Sequence, residues 1–160
     1  MPKEKAKSDR LGQAEYRAGA LERIEDAQVL LERGQFAGSI YMAGRGVEGM
    51  LRALIWRADP DIRSRRKPLE SGHDLRALLL VVRNRGLLRA GAPDELLTGQ
   101  IQDVAQLWFN NMRFVSERYV ERAWRSAGRV SKRVTLKRAA EQFVQDCIAI
   151  VNRCEVLCQR

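Results

Sequence analysis

One histidine, three cysteines and four prolines are all that this chain of 160 residues holds of those types. A single histidine excludes a His-rich metal centre, and any imidazole chemistry must pass through His73. Three cysteines do not make a disulfide framework, and an odd number leaves one unpaired. Long apolar runs are missing as well. Stretches such as Leu78 to Val82 fall far below the ~20 residues of a membrane-spanning helix. The start, Met-Pro-Lys-Glu-Lys-Ala-Lys, has no apolar segment, so no secretory signal is expected and the cytoplasm is the expected location. No stretch alternates apolar and polar residues long enough to propose a strand, and no internal repeat is visible.

Positive charge is what the chain has in excess. Lys and Arg number 29 against 20 Asp and Glu, a net of +9, and 23 of the 29 are arginine. The excess is concentrated. Residues 57–89 carry nine basic and four acidic groups, and residues 113–138 carry nine and two. Such patches attract phosphate polymers at long range, which fits a nucleic-acid or nucleotide partner. An arginine-rich coding bias would give the same excess with no ligand.

Helical periodicity covers most of the remainder. Residues 1–9 are polar and lysine-rich and are expected to be a disordered basic tail, leaving residues 10–160 as one domain. A first stripe (Ala14, Ala18, Leu21, Ile24, Ala27, Leu31) ends at Gly34, and a second (Phe36, Ile40, Ala43, Val47, Met50, Leu54) follows at once, which predicts an antiparallel hairpin. The second helix contains Gly38, Gly44, Gly46 and Gly49. Each costs roughly 1 kcal/mol against alanine, so another backbone, from a neighbouring helix or a second subunit, is expected to approach closely there. Asp59-Pro60 breaks the helix, and a basic loop with Arg63, Arg65, Arg66 and Lys67 follows. Ser71 and Asp74 offer capping groups to a short third helix that Gly86 closes. Pro93, Asp94 and Glu95 open a fourth, with the stripe Leu97, Ile101, Val104, Trp108, Met112, Val115. The period is lost over 116–133 and returns in the clearest helix, from Leu136 to Leu157. The fold expected is all-α, an up-and-down bundle of four long helices and one short one.

Within these helices lies a recognisable order of residues. Helix two reads Tyr41-Met-Ala43-Gly-Arg-Gly-Val-Glu48-Gly-Met-Leu51-Arg52-Ala53-Leu54, helix three opens Ser71-Gly-His73-Asp74-Leu75, and Asn111-Met-Arg113-Phe114 with Glu117-Arg118-Tyr119 comes late. This order resembles the HEPN superfamily of small helical bundles, found in prokaryotes beside nucleotidyltransferases, over residues 14–158. Arg52 stands where Lys is usual in that family, and Phe114 where Tyr is usual after Arg113. The resemblance implies a homodimer, a partnership with RNA or nucleotide, or pairing with a nucleotidyltransferase in a toxin–antitoxin-like system. Many members are metal-independent ribonucleases with an Arg-x(4–6)-His motif late in the chain. The match here, Arg66 and His73 with six residues between, lies early. The resemblance therefore implies a binding module without catalysis, with a nucleotidyltransferase partner in a toxin–antitoxin-like system as the first alternative and a ribonuclease using His73 and Arg66 as the second; no cofactor or metal is expected.

Each candidate residue has a plainer role beside the functional one. His73 is a general acid–base candidate, since imidazole titrates near neutrality, or a helix-start residue packed on the bundle. Glu48 either pairs with Arg52 on the surface at i,i+4 or lies inside against an arginine such as Arg113. Asn111, Arg113, Arg118 and Tyr119 can bond phosphate and base edges, or can be solvated residues at the bundle's end. Trp124 and Tyr119 among Arg118, Arg122, Arg125 and Arg129 interleave stacking and cationic groups. Cys147, Cys154 and Cys158 sit at helical spacing and read as small core hydrophobes rather than metal ligands.

Overall fold

The computed structural model describes residues 11–58, 73–89 and 91–159. The expected tail, the Asp59-Pro60 break, the basic loop with Arg66, and Ser71 lie outside the described residues. Among the described residues there are six α-helices, one 3₁₀ turn and no strand. No helix among the described residues is long and apolar enough to cross a membrane.

α1 (Gln13–Glu32) and α2 (Phe36–Ala58) form the expected hairpin. Gly34 turns it at φ 73°, where residues with a Cβ are disfavoured, while its N–H donates to Leu31 O and that of Gln35 to Leu30 O. The same glycine device closes α3 (Leu75–Asn84) at Gly86 and α5 (Glu117–Ser126) at Gly128. Asp74 caps α3 by accepting from Arg76 N, so the cap is Asp74 itself.

The glycines of α2 are filled from inside the chain. A Cβ on Gly46 would sit 2.9 Å from the Ile24 side chain, and one on Gly49 3.1 Å from Ala20 Cβ and 3.2 Å from Tyr16 O. A Cβ on Gly44 would sit 2.2 Å from the Trp108 indole. The close approach expected of them thus belongs to α1 and to Trp108. Ser39, buried among them, donates to Ala27 O and ties the two helices again.

The remaining long helices are α4 (Ala92–Leu107) and α6 (Leu136–Gln159). Arg57 donates to Leu157 O, while Phe36 and Leu136 flank one groove, so α2 and α6 run the same way. Arg17 pairs with Glu155 and Arg153 with Asp94, which sets α1 and α4 against them. The four long helices therefore alternate in direction, with short α3 between α2 and α4. Ile40, Val47, Met50, Leu51, Ile101, Ile150 and the three cysteines lie in one buried core.

Two expectations fail between α4 and α6. The fourth helix does not run to Val115. It ends at Leu107, and Trp108 turns extended (ψ 137°) so that its indole packs on Gly44 and donates to Tyr41 O at 3.1 Å. Tertiary packing of one large ring wins over a continuing helical period. The stripe's last members, Met112 and Val115, belong instead to the 3₁₀ turn Asn110–Phe114 and its cap. The segment read as unperiodic holds α5, capped by Ser116 and anchored by buried Val120 and Trp124.

Candidate functional site

Glu48 is only 3% exposed, and its side chain is the centre of a polar cluster under a cleft. A buried carboxylate needs donors. Arg52, one turn on, supplies Nε at 3.0 Å and Nη2 at 2.9 Å, both to Oε1. Arg45, one turn back, reaches Oε2 through Nη1 at 2.5 Å. Positions 45, 48 and 52 share one face of α2, since residues three and four apart are helix neighbours. The fourth partner comes from far along the chain. His73, just before the Asp74 cap of α3, places Nδ1 2.9 Å from Glu48 Oε1.

Nδ1 is also 2.9 Å from Arg45 Nη1. One nitrogen cannot both donate to the carboxylate and accept from the guanidinium. The proton belongs on Nδ1, because the guanidinium already has Glu48 Oε2 as its acceptor and can only donate. In the neutral ring that tautomer leaves the lone pair on Nε2, and the side chain is 43% exposed. The carboxylate thus orients the imidazole, and its other oxygen orients the Arg45 guanidinium.

Above this cluster lies a cleft of about 590 Å³, within the range of small-molecule sites. Tyr16 and Arg23 of α1, Tyr41 and Met42 of α2, Arg45 and His73 line it. The Arg52 guanidinium stands 5.9 Å from the centre of the Tyr16 ring. Arg23 is held by Asp26 at 3.0 Å. Arg45, with a third of its side chain exposed, presents the cation that a ligand meets. The cleft therefore offers a fixed guanidinium, an imidazole held by a carboxylate, and two phenol rings. An anion with a flat group attached fits that set chemically.

The structure brings Glu48 and His73 together and separates them from the late candidates. Glu48 is inside, as one alternative held, but its arginine is Arg52, the partner the other alternative named. Arg113 does not pair with it: its guanidinium lies over the Phe114 ring at 4.6 Å, exposed on the 3₁₀ turn. Asn111, Arg118 and Tyr119 are exposed nearby and do not line the cleft. Arg66 lies outside the described residues, so its spacing to His73 has no geometry here. Arg45 was missed in the sequence, although its Arg45-x2-Glu48-x3-Arg52 spacing was the available signal. Tyr16 and Tyr41 gave no signal beyond helical period.

The cysteines are buried in α6. Burial pushes the Cys147 thiol well above its ordinary value, with Asp146 adding to the effect. Burial, with Cys158 beside it, pushes Cys154 up to about 12. Cys158 is raised by burial too, against the opposing pull of Arg57. Such thiols stay protonated and inert. No group of three His, Cys, Asp or Glu among the described residues is placed to hold a metal ion. No protein-family model, characterised protein or solved structure matches this chain.

Proposed function

We propose that this chain is a HEPN-like helical module, working as a dimer, that binds a nucleotide, free or as part of RNA, without cleaving it. The phosphate lies against Arg45 in the cleft, the base against Tyr16 or Tyr41, and a ribose hydroxyl can donate to His73 Nε2. The observation that carries this is the pair of contacts on Glu48. One buried carboxylate fixes a cleft-facing guanidinium and a cleft-facing imidazole at 2.5 and 2.9 Å. Groups held in this way lose little freedom when a phosphate arrives. The alternating helices and the His73-Asp74 helix start support the family assignment.

The test is a titration of a nucleoside monophosphate and of short single-stranded RNA at low salt with EDTA present. Binding that weakens by about tenfold in Arg45→Ala, within the range of a lost charge-assisted bond, supports the assignment. No binding by the wild type overturns it.

One observation favours a second reading, the metal-independent ribonuclease. A carboxylate holding Nδ1 of an imidazole that lines the cleft is the arrangement a general base needs. RNA cleavage in EDTA that disappears in His73→Ala assigns that role. Intact RNA in every lane assigns binding alone.

A further inference from the structure

Among the described residues, every exposed aromatic ring lies between Phe109 and Tyr119. Ten aromatic residues occur in the sequence; Phe109, Phe114 and Tyr119 are exposed, and the rest, Tyr16 and Tyr41 of the cleft among them, are half-buried or buried. Phe114 is 74% exposed. Single exposed hydrophobes are ordinary, but a segment that collects all the exposed rings is not. The rings are also escorted. Arg113 stands 4.6 Å over Phe114, and Arg122 stands 6.0 Å from the centre of Tyr119.

Charge makes a second, independent observation. All nine basic residues of 113–138 are exposed. Both acidic residues there are already engaged. Glu117 accepts from Phe36 N and Ala37 N at the start of α2, and Glu121 pairs with Arg125 at 2.9 Å. With Val120 and Trp124 facing the core, Arg118, Arg122 and Arg125 recur at i, i+4 and i+7 on the opposite side of α5. The rise between Arg118 and Arg122 is about 6 Å, so the row can follow a chain of phosphates.

We propose that the 3₁₀ turn and α5 form a second site, separate from the cleft, for single-stranded nucleic acid. Unpaired bases stack on Phe114 and Tyr119, and the phosphates follow Arg113, Arg118 and Arg122. Exposed rings beside guanidinium groups suit bases that have a free face and a charged backbone. A duplex hides its base faces in the stack, so it uses the cations but not the rings. A second copy of the chain suits the face poorly. A two-fold contact would set this net-positive surface against itself.

The test is anisotropy of a labelled single-stranded oligouridylate on the whole chain, with duplex RNA and inorganic polyphosphate as competitors. Phe114→Ala with Tyr119→Ala is expected to weaken oligouridylate binding at least tenfold, from stacking on two rings, and to leave polyphosphate binding unchanged. Arg118→Ala with Arg122→Ala is expected to weaken both and to flatten the salt dependence. All four side chains are exposed, and circular dichroism melting checks that the variants fold. Ring variants that bind like the wild type overturn the proposal, as does equal competition by duplex RNA. Loss of a dimer in the ring variants, seen by sedimentation with no change in oligouridylate binding, gives the face to a second copy instead. Titration with a nucleoside monophosphate separates this site from the cleft, since it responds to Arg45→Ala and not to the ring variants.

Discussion

Glu117 caps a helix that begins 81 positions before it. Its Oε1 accepts from Phe36 N at 2.5 Å and from Ala37 N at 3.3 Å. The first N–H groups of α2 have no partner within the helix, and an anion there also answers the helix dipole. The contact fastens α5 to the hairpin and removes one of its two carboxylates from the exposed face. Glu117→Ala is expected to cost about 1 kcal/mol, in line with a lost N-cap, and to lower Tm by roughly 2–4 °C for a chain of this size. Thermal melting followed by circular dichroism measures it.

Glycines divide into those the packing requires and those it does not. Gly44→Ala puts a Cβ 2.2 Å from the Trp108 indole, so the ring must move and its bond to Tyr41 O is strained. A loss of about 1–3 kcal/mol is expected, as for other overpacked sites. Gly19→Ala in α1 and Gly99→Ala in α4 meet nothing within 4 Å and are expected to stabilise by about 0.5–1 kcal/mol each. Urea unfolding of the three variants checks the opposite signs.

These particulars show which parts of the molecule could be seen in the sequence. Hairpin, alternating long helices and core stripes were legible, because period and glycine stops act locally. The end of α4 was not. Trp108 leaves the helix to reach Gly44, a contact across more than sixty positions that no local pattern encodes. α5 was hidden because only Val120 and Trp124 face the core, too narrow a stripe in a segment, 116–133, that holds six cations. At the cleft, the burial of Glu48 was legible as one of two alternatives. Its joint hold on His73 was not, since that depends on where α3 starts in space.

Removing the centre of the cluster should cost far more than removing its rim. Glu48→Ala takes the carboxylate from Arg52, which is itself buried, and about 3 kcal/mol or more of stability is expected to go with it. Arg45 is a third exposed, and solvent screens its pair, so Arg45→Ala is expected to cost under about 1 kcal/mol. Denaturant midpoints of the two variants give the comparison, and equal losses would refute this division.

Thiol burial sets an alkaline limit. Cys147, Cys154 and Cys158 are all raised in the folded chain, Cys154 to about 12, whereas unfolded thiols ionise near their ordinary value. Between those two values the unfolded state has lost protons that the folded state keeps. Stability is therefore intact below about pH 8.5 and falls as pH rises from there toward 12, by up to about 1.4 kcal/mol per pH unit for each fully buried thiol. Urea midpoints from pH 8 to 11 measure the slope, and Cys154→Ala should make it shallower.

The most direct test of the cleft uses the chain's single histidine. His73 gives the only imidazole signals in a proton–nitrogen NMR spectrum, so they can be followed without assignment of the rest. A nucleoside monophosphate, added at constant pH with EDTA present, is predicted to shift both ring-nitrogen correlations to saturation, and Arg45→Ala to demand about tenfold more ligand for the same shift. Imidazole signals that stay in place while calorimetry reports nucleotide binding would contradict the account, because the ligand would then sit away from the Glu48, His73 and Arg45 cluster.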